Sequence, residues 1–184
     1  MKEAKEGQAD AILGVWENEE RKQWFEFSPP LIENSLVLLC VVKNRECKAN
    51  PVLKGKRLGL ARGYYYPQEI RESQAVLEYE QTEETNFKKL LGGRIEYILV
   101  DRSVGYYFMR QRNLRYDVDI RMVQPSIAVQ NLHIGFSKQS FMGLAAGLEL
   151  ARTLQRLEKA GDLKPLRAEA LKQEIRIFSF NDKP

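Results

Sequence analysis

The chain has 184 residues, of which 43% are apolar, and a formal net charge of +4. That length can bury a core of ordinary size in one domain or in two small lobes. Lysines and arginines are scattered among nearly as many acids, with no basic arm and no interleaving of aromatic and basic residues, so a nucleic-acid partner is not expected. No apolar run approaches the length of a membrane span, and the longest, 36–42, suits a buried strand.

The first part of the chain predicts short extended segments separated by polar breaks. Residues 9–15 indicate a buried strand, and residues 17–21 a polar loop. A second extended piece, 24–27, ends where Ser28-Pro29-Pro30 interrupts the ladder, and we interpret Trp24 as a core residue. Residues 35–43 then form a strong β run.

Residues 44–126 alternate between strand and helix patterns. The predicted strands are 54–61, 76–81, 94–100 and 119–123, and the predicted helices are 67–73, 82–91 and 103–111. Thr82 is the predicted N-cap of the second helix, with Thr85 and Asn86 as alternatives. This rhythm predicts a parallel, doubly wound sheet, in which ligands bind at the carboxyl ends of the strands. Tyr64 and Asp101 lie at such ends.

The last part of the chain predicts one more extended stretch and a long helix. The stretch, 128–138, contains His133, which we interpret as a packed core histidine. The helix, 143–157, carries leucines along one side. Gly161 and Asp162 break it, and 165–174 is predicted to continue as helix.

The residue types that hold metals or perform catalysis are sparse. Cys40 is expected to pack as a small hydrophobe; a pair with Cys47 is possible, although the spacing does not imply it. One histidine and two cysteines, well separated, form no metal-ligand cluster. Because no two acids stand at a recognisable catalytic spacing, the sequence predicts no catalytic residue, no metal and no cofactor.

Four motifs, in their order along the chain, carry a resemblance. They are Gly7-Gln-Ala-Asp-Ala11 with Asn18-Glu-Glu-Arg21 and Phe27-Ser-Pro29; Leu53-Lys-Gly-Lys-Arg-Leu-Gly-Leu-Ala-Arg-Gly-Tyr64; Leu90-Leu-Gly-Gly-Arg-Ile-Glu-Tyr-Ile-Leu-Val-Asp101; and Gly135-Phe-Ser-Lys138. Together they resemble the bacterial extracellular solute-binding proteins of family 3, which serve polar amino acid ABC transporters.

The resemblance implies an α/β, periplasmic-binding-protein-like fold of two doubly wound lobes joined by hinge strands. Residues 1–36 and 133–184 would form lobe one, 44–126 lobe two, and 37–43 with 127–132 the hinge connections. The family carries an export signal and several dozen further residues upstream. Since no signal peptide precedes this chain's first motif, lobe one is expected to be incomplete.

Three residues near the first motif acquire ligand roles through the resemblance. Arg21 matches the family's carboxylate-binding arginine, whose planar fork suits two carboxylate oxygens. Asn18 stands where many members place a threonine that also donates to the carboxylate, and Trp16 could form an aromatic wall. The alternatives are a solvated loop arginine that pairs with Glu19 or Glu20, and a tryptophan that packs in the core.

The other ligand residues lie in the predicted second lobe. Tyr64 and Tyr65 belong to a turn before a helix, where free N–H groups and the helix dipole favour an anion. Many members have small hydroxyl residues there, so the tyrosines imply a different ligand size or type, unless they pack against neighbouring helices. Asp101 matches the acid that pairs with a ligand's α-amino group; the alternative is a helix cap for Val104 or Gly105.

These residues predict a binding protein and not an enzyme. It would capture a small zwitterion, a polar amino acid or a close relative, by hinge closure in the periplasm, and deliver it to a membrane ABC permease. One alternative is a ligand-sensing input domain of a signalling protein. Another is a truncated fragment that binds nothing, because the front of lobe one is missing.

Overall fold

The computed structural model describes residues 1–166, 168 and 169. Its helices are α1 (Lys2–Lys5), α2 (Glu19–Lys22), α3 (Gln68–Arg71), α4 (Glu83–Leu91), α5 (Arg102–Gln111) and α6 (Phe141–Ala160). Its strands are β1 (Ala11–Trp16), β2 (Phe25–Phe27), β3 (Ile32–Val41), β4 (Arg57–Ala61), β5 (Val76–Glu80), β6 (Tyr97–Asp101) and β7 (Ile120–Ser137). None of these helices combines the length and the apolar character that crossing a membrane requires.

The strands follow the order β1-β7-β3-β6-β4-β5, and β2 also pairs with β7. Strand β4 runs parallel to both β5 and β6, as the alternation of strands and helices predicts. Strand β3 runs antiparallel to β6, with Leu36 opposite Asp101 and Leu39 opposite Ile98. The whole sheet is therefore mixed, because β3, which precedes the segment predicted to form the parallel sheet, lies beside β6.

Within the described residues the chain divides into two compact units. Unit one comprises Met1–Asn34 and the residues from Gln130 onward, and unit two comprises Ser35–Val129. Strands β3 and β7 contribute residues to both units. The segments that the sequence assigned to two strands, 119–123 and 128–138, belong to the single strand β7.

Unit two contains a continuous apolar core. Its members are buried side chains of β3, α4, β6, α5 and β7 and of the segment between α4 and β6: Val37, Leu39, Phe87, Leu90, Ile95, Ile98, Val100, Met109, Ile120 and Met122. Helix α4 lies close to β4 at Gly59, where a Cβ atom would stand 2.7 Å from both Asn86 Oδ1 and Ile95 Cδ1. Thr82 caps α4 by accepting a hydrogen bond from the Thr85 backbone N–H, as predicted.

A disulfide between Cys40 and Cys47 closes the loop that follows β3. Their Cα atoms are 5.4 Å apart, a normal separation for a bridge. The expectation that Cys40 packs only as a small hydrophobe was therefore wrong, although its side chain is fully buried. A seven-residue spacing in a charged loop does not reveal that the chain turns back on itself.

Unit one is held together by polar contacts between distant parts of the sequence. His133 Nδ1 lies 2.8 Å from the Ser28 carbonyl oxygen, which can only accept, so Nδ1 carries the proton. The Ser28 hydroxyl oxygen accepts from the Ile134 N–H at 3.0 Å. His133 is buried at 8% exposure and meets Phe27 edge to face, which confirms the predicted core histidine.

A second polar junction in unit one lies at the start of α6. Ser140 donates to Asp10 Oδ1 at 2.5 Å and accepts from the Gly143 N–H at 2.9 Å, so it caps the helix. A Cβ atom at Gly143 would stand only 2.3 Å from the Asp10 carbonyl oxygen. Residues 163–166, 168 and 169 are also helical, and the rest of the predicted 165–174 helix lies outside the described residues.

Candidate ligand-binding site

Three of the predicted ligand residues lie together in unit one. Asn18 caps α2, because its Oδ1 accepts a hydrogen bond from the Arg21 backbone N–H at 2.8 Å. Arg21 Nη1 donates to the carbonyl oxygen of Trp16, the last residue of β1, at 2.9 Å. The end of β1 and the first turn of α2 therefore fix both the backbone and the guanidinium of Arg21.

Arg21 is not a solvated loop arginine. Arg21 is only 9% exposed and belongs to the short helix α2, whereas the sequence predicted a polar loop over 17–21. The neighbouring acids have other partners, since Glu19 pairs with Lys22 at 2.8 Å and Glu20 with Lys5 at 3.6 Å. The alternative that Arg21 pairs in solvent with Glu19 or Glu20 was wrong, because the Asn18 cap starts a helix where the pattern indicates a loop.

The two tryptophans differ from each other in burial. Trp16 is 6% exposed, which places its ring in the core of unit one and favours the packing alternative over an aromatic wall. Trp24 is 38% exposed, and Lys5 Nζ lies 5.4 Å from the centre of its ring. The interpretation of Trp24 as a core residue was wrong, because Phe25 takes the inward position on β2 at 1% exposure.

The three tyrosines after β4 have three different environments in unit two. The Tyr66 hydroxyl accepts from the Ala61 N–H at 2.8 Å and donates to the Ala61 carbonyl at 3.1 Å. The guanidinium of Arg71, on α3, lies 5.8 Å from the centre of the Tyr65 ring. Tyr64 stacks on Tyr66 with ring centres 6.2 Å apart and remains 49% exposed. Two tyrosines therefore pack locally, and Tyr64 presents the most exposed ring of the three.

The environments of Tyr64 and Tyr66 favour the protonated form of their hydroxyl groups. Burial raises the pKa of Tyr66 to about 12, although the backbone hydrogen bond to Ala61 acts in the opposite direction. Burial also raises the pKa of Tyr64, and the negative charges of Glu83 and, to a smaller extent, Asp101 raise it further.

Asp101 ends β6 and begins α5. Its Oδ1 accepts a hydrogen bond from the Val104 N–H at 3.0 Å, so the predicted capping alternative is present in the structure. A carboxylate accepts several hydrogen bonds at once, so the cap is compatible with a contact to a ligand cation. The sequence did not identify Glu83 as a candidate site residue. Glu83 lies in the first turn of α4, just after β5, and this position places it at the same edge of the sheet as Tyr64 and Asp101.

Comparisons with known proteins bear on the fold. The sequence matches no protein-family model, and no curated protein matches it either. Among solved structures, an amino acid ABC transporter substrate-binding protein from Streptococcus pneumoniae, bound to L-arginine, is similar with a TM-score of 0.70 at 20% identity, covering 95% of this chain and 73% of its own. An ancestral arginine-binding protein bound to arginine is similar with a TM-score of 0.71 at 20% identity, covering 91% of this chain and 74% of its own.

A sensor domain has the same fold. A histidine kinase sensor domain with similarity to periplasmic binding proteins matches with a TM-score of 0.74 at 22% identity, covering 91% of this chain and 72% of its own. These identities show the fold and not the function. The protein thus has the α/β, periplasmic-binding-protein-like fold that the four motifs imply.

Proposed function

We propose that the protein is a solute-binding protein that captures a small zwitterionic solute, a polar amino acid or a close relative. The observation that carries the proposal is the fold, which the protein shares with amino acid ABC transporter substrate-binding proteins, among them structures bound to arginine and glutamine. The residues that match the family's ligand residues support it, because opposite charges occur at the two matching positions, Arg21 and Asp101. The protein binds its solute and does not transform it.

In this proposal Arg21 holds the carboxylate of the ligand. A guanidinium has five N–H donors, so it can bind a carboxylate while it keeps its bond to the Trp16 carbonyl. That bond and the α2 backbone hold the guanidinium in one orientation, which lowers the entropy lost on binding. Asn18 supports the same group through its amide donor, since its Oδ1 already accepts from the Arg21 N–H.

Asp101 binds the ammonium group of the ligand, and the Tyr64–Tyr65 turn contacts the ligand beside it. The carbonyl oxygen of Trp16 orients the guanidinium of Arg21, and the Trp16 ring is buried in unit one. Hinge motion about the predicted connections, 37–43 and 127–132, remains part of the proposal. Closure over a ligand excludes water, which strengthens both charge contacts.

A thermal-shift screen tests this function. The purified protein is heated with each of the twenty L-amino acids, and at least one is expected to raise the melting temperature, because a ligand that binds only the folded state stabilises it. Arg21→Ala is expected to abolish the shift. Lys22→Ala is the matched control on the same helix, since Lys22 is exposed and pairs only with Glu17 and Glu19 among the described acids. If no amino acid shifts the unmutated protein, the proposed function is wrong.

We also propose that the protein works in an oxidising compartment, the periplasm or its equivalent, with an ABC permease as partner. The Cys40–Cys47 disulfide supports this, because such bonds persist in secreted proteins and are rare in a reducing cytosol. Alkylation of free thiols in freshly lysed cells tests it. The two cysteines are expected to resist alkylation until a reductant is added.

A ligand-sensing domain is the second candidate, and the histidine kinase sensor domain with the same fold favours it. Both candidates bind the same kind of ligand, so the screen does not separate them. The two candidates are separated by a test of whether the liganded protein stimulates a reconstituted amino acid ABC transporter. An increase in ATP hydrolysis supports transport, and its absence with a cognate permease supports sensing.

A further inference from the structure

The charged and aromatic groups at one edge of unit two indicate which ligand the proposed site selects. Strands β5, β4 and β6 are parallel neighbours, so their carboxyl ends lie at a common edge. Tyr64 follows β4, Glu83 follows β5 and Asp101 ends β6. The register brings these ends level, since Ala61 pairs with Glu80 and the Arg62 N–H donates to the Glu80 carbonyl at 2.8 Å.

Tyr64 supplies an aromatic face with a rigid base. One face of its ring stacks on Tyr66 at an interplanar angle of 25°. Tyr66 cannot move without breaking two hydrogen bonds to Ala61. Because Tyr64 is nevertheless 49% exposed, it can receive a cation on its open side, where the negative electrostatic potential of the ring face attracts an ammonium or guanidinium group.

Glu83 lacks the salt bridge to a described lysine or arginine that most acids of this sheet and its helices form. Glu78 and Glu80 pair with Lys89, Glu84 with Lys88 and Arg112, and Glu96 with Arg57. Among the residues that the structure describes, no lysine or arginine nitrogen lies within 4.0 Å of the Glu83 carboxylate. Its side chain is half-buried, and it follows β5 directly beside the end of β4 that carries Tyr64. Within the part of the chain that the structure describes, the Glu83 carboxylate therefore has no basic partner.

Two arginines at the same edge, Arg102 and Arg62, carry positive charges that could repel a cationic ligand. Arg102 Nη2 donates to Ser126 Oγ at 2.6 Å, so its guanidinium is committed to β7. Arg62 is exposed, and its positive charge would favour an anionic ligand over a cationic one. The first turn of α4 would also stabilise Glu83 through the helix dipole without any ligand, so the experiment must separate this role from binding.

We infer that Tyr64 and Glu83 determine specificity in the proposed site, and that they select a ligand with a second positive charge besides its α-ammonium group. This inference rests on the proposed function. Asp101 holds the α-ammonium group, while the ring of Tyr64 and the carboxylate of Glu83 receive the side-chain cation. The ligand class is therefore a cationic amino acid.

Isothermal titration calorimetry with four probes tests the inference. L-Arginine and L-citrulline have nearly the same shape and differ in charge; L-lysine is a second cation, and L-glutamate tests the anionic alternative. We expect L-arginine to bind at least about tenfold more tightly than L-citrulline. Glu83→Gln and Tyr64→Leu are each expected to reduce that ratio to about threefold or less.

Glu84→Gln is the matched control. It removes the same charge from the same first turn of α4, but Glu84 is exposed and paired with Lys88 and Arg112. The arginine-to-citrulline ratio should be unchanged in this variant. If Glu84→Gln lowers the ratio as much as Glu83→Gln, the helix dipole explains the effect and the inference is wrong.

The remaining outcomes are also decisive. Equal affinity for L-arginine and L-citrulline, or tighter binding of L-glutamate, overturns the cation selectivity and leaves the proposed function intact. Binding of none of the four probes, together with a negative screen of all amino acids, overturns both. An unchanged ratio in both Glu83→Gln and Tyr64→Leu would show that another group selects the cation.

Discussion

The two compact units are stabilised in different ways. Unit two packs ten buried apolar side chains, nine of them from five helices and strands, into one cluster and closes the loop after β3 with a disulfide. The described interior of unit one includes buried polar groups, namely Arg21, Ser28, His133, Ser137 and Ser140, beside apolar residues such as Phe25 and Phe136. These polar contacts make the described part of unit one sensitive to the geometry of individual contacts, because a buried polar group costs free energy whenever its partner moves.

The units also present their candidate ligand residues differently. Arg21 is 9% exposed and bonded to a backbone carbonyl, whereas Tyr64 is 49% exposed and rests on another ring. Burial fixes Arg21 in one orientation, which suits recognition of a group that every amino acid carries. Exposure at Tyr64 suits contact with the part of the ligand that varies.

Two glycine substitutions test the difference in packing most strongly. At Gly143 in unit one, an added methyl group meets the Asp10 backbone at 2.3 Å; at Gly105 in unit two, it meets the end of the Leu39 side chain at 3.0 Å. We expect Gly143→Ala to lower the free energy of unfolding by about 3 kcal/mol and Gly105→Ala by clearly less, because a side chain can move aside more easily than backbone. Urea unfolding measures both. Equal losses would contradict the comparison.

Removal of the disulfide tests how far unit two depends on its cross-link. We expect Cys40→Ala with Cys47→Ala to reduce the free energy of unfolding by about 2–3 kcal/mol, since the bridge restricts the unfolded chain. Hydrogen exchange of the apolar cluster should remain slower than that of the loop 42–56. If the cluster exchanges as fast as the loop, the disulfide and not the apolar core holds unit two together.

Tyr66→Phe tests a polar anchor within unit two. The variant leaves the Ala61 N–H without its partner, at a cost of about 1–2 kcal/mol at neutral pH. The pKa of Tyr66 is raised from 10.0 to about 12, so the hydroxyl stabilises the fold below pH 10 and loses this effect as the pH rises toward 12. The difference between parent and variant should therefore shrink above pH 10. Tyr107→Phe, at an exposed position on α5, should show no such trend.

The smallest expected effect comes from Glu96→Gln at the start of β6. Arg57 holds the pKa of this carboxyl below its usual value of 4.5 through side-chain hydrogen bonds at 2.7 and 3.2 Å. The stabilisation is present above pH 4.5 and is lost as the pH falls through the lowered pKa. Parent and variant should thus converge in stability at acidic pH. Glu69→Gln, on α3, is the control, and a convergence of the same size there would refute the assignment to Glu96.

The difference between the units also explains which parts of the fold could be predicted from sequence. Apolar periodicity indicated β4, β5, β6, α4 and α5, because each presents its buried face in a short local pattern. Contacts in unit one join residues that are 105 positions apart at Ser28 and His133, and 130 apart at Asp10 and Ser140. No local pattern reveals such pairs. For the same reason the spacing left the disulfide open and gave no sign of the antiparallel pairing of β3.

The candidate site was predicted in part, through the resemblance and not through local patterns. The positions of Arg21, Asn18 and Trp16 at one junction follow from the chain order of the first motif. The burial of Arg21 could not be read from its acidic neighbours, which indicate a solvated loop. Glu83 was missed because its place beside Tyr64 depends on the register of β4 and β5. The ligand roles of these residues remain predictions.

Calorimetry with modified ligands tests the central claim, that the protein recognises both charges of an amino acid. L-Glutamine and L-arginine are titrated beside their α-carboxamides and their Nα-acetyl derivatives, each of which lacks one of the two charges. For the amino acid that binds, either modification is expected to weaken binding about 30-fold or more, since an unpaired buried charge costs about 2 kcal/mol or more. Derivatives that bind as tightly as the parent amino acid would contradict it.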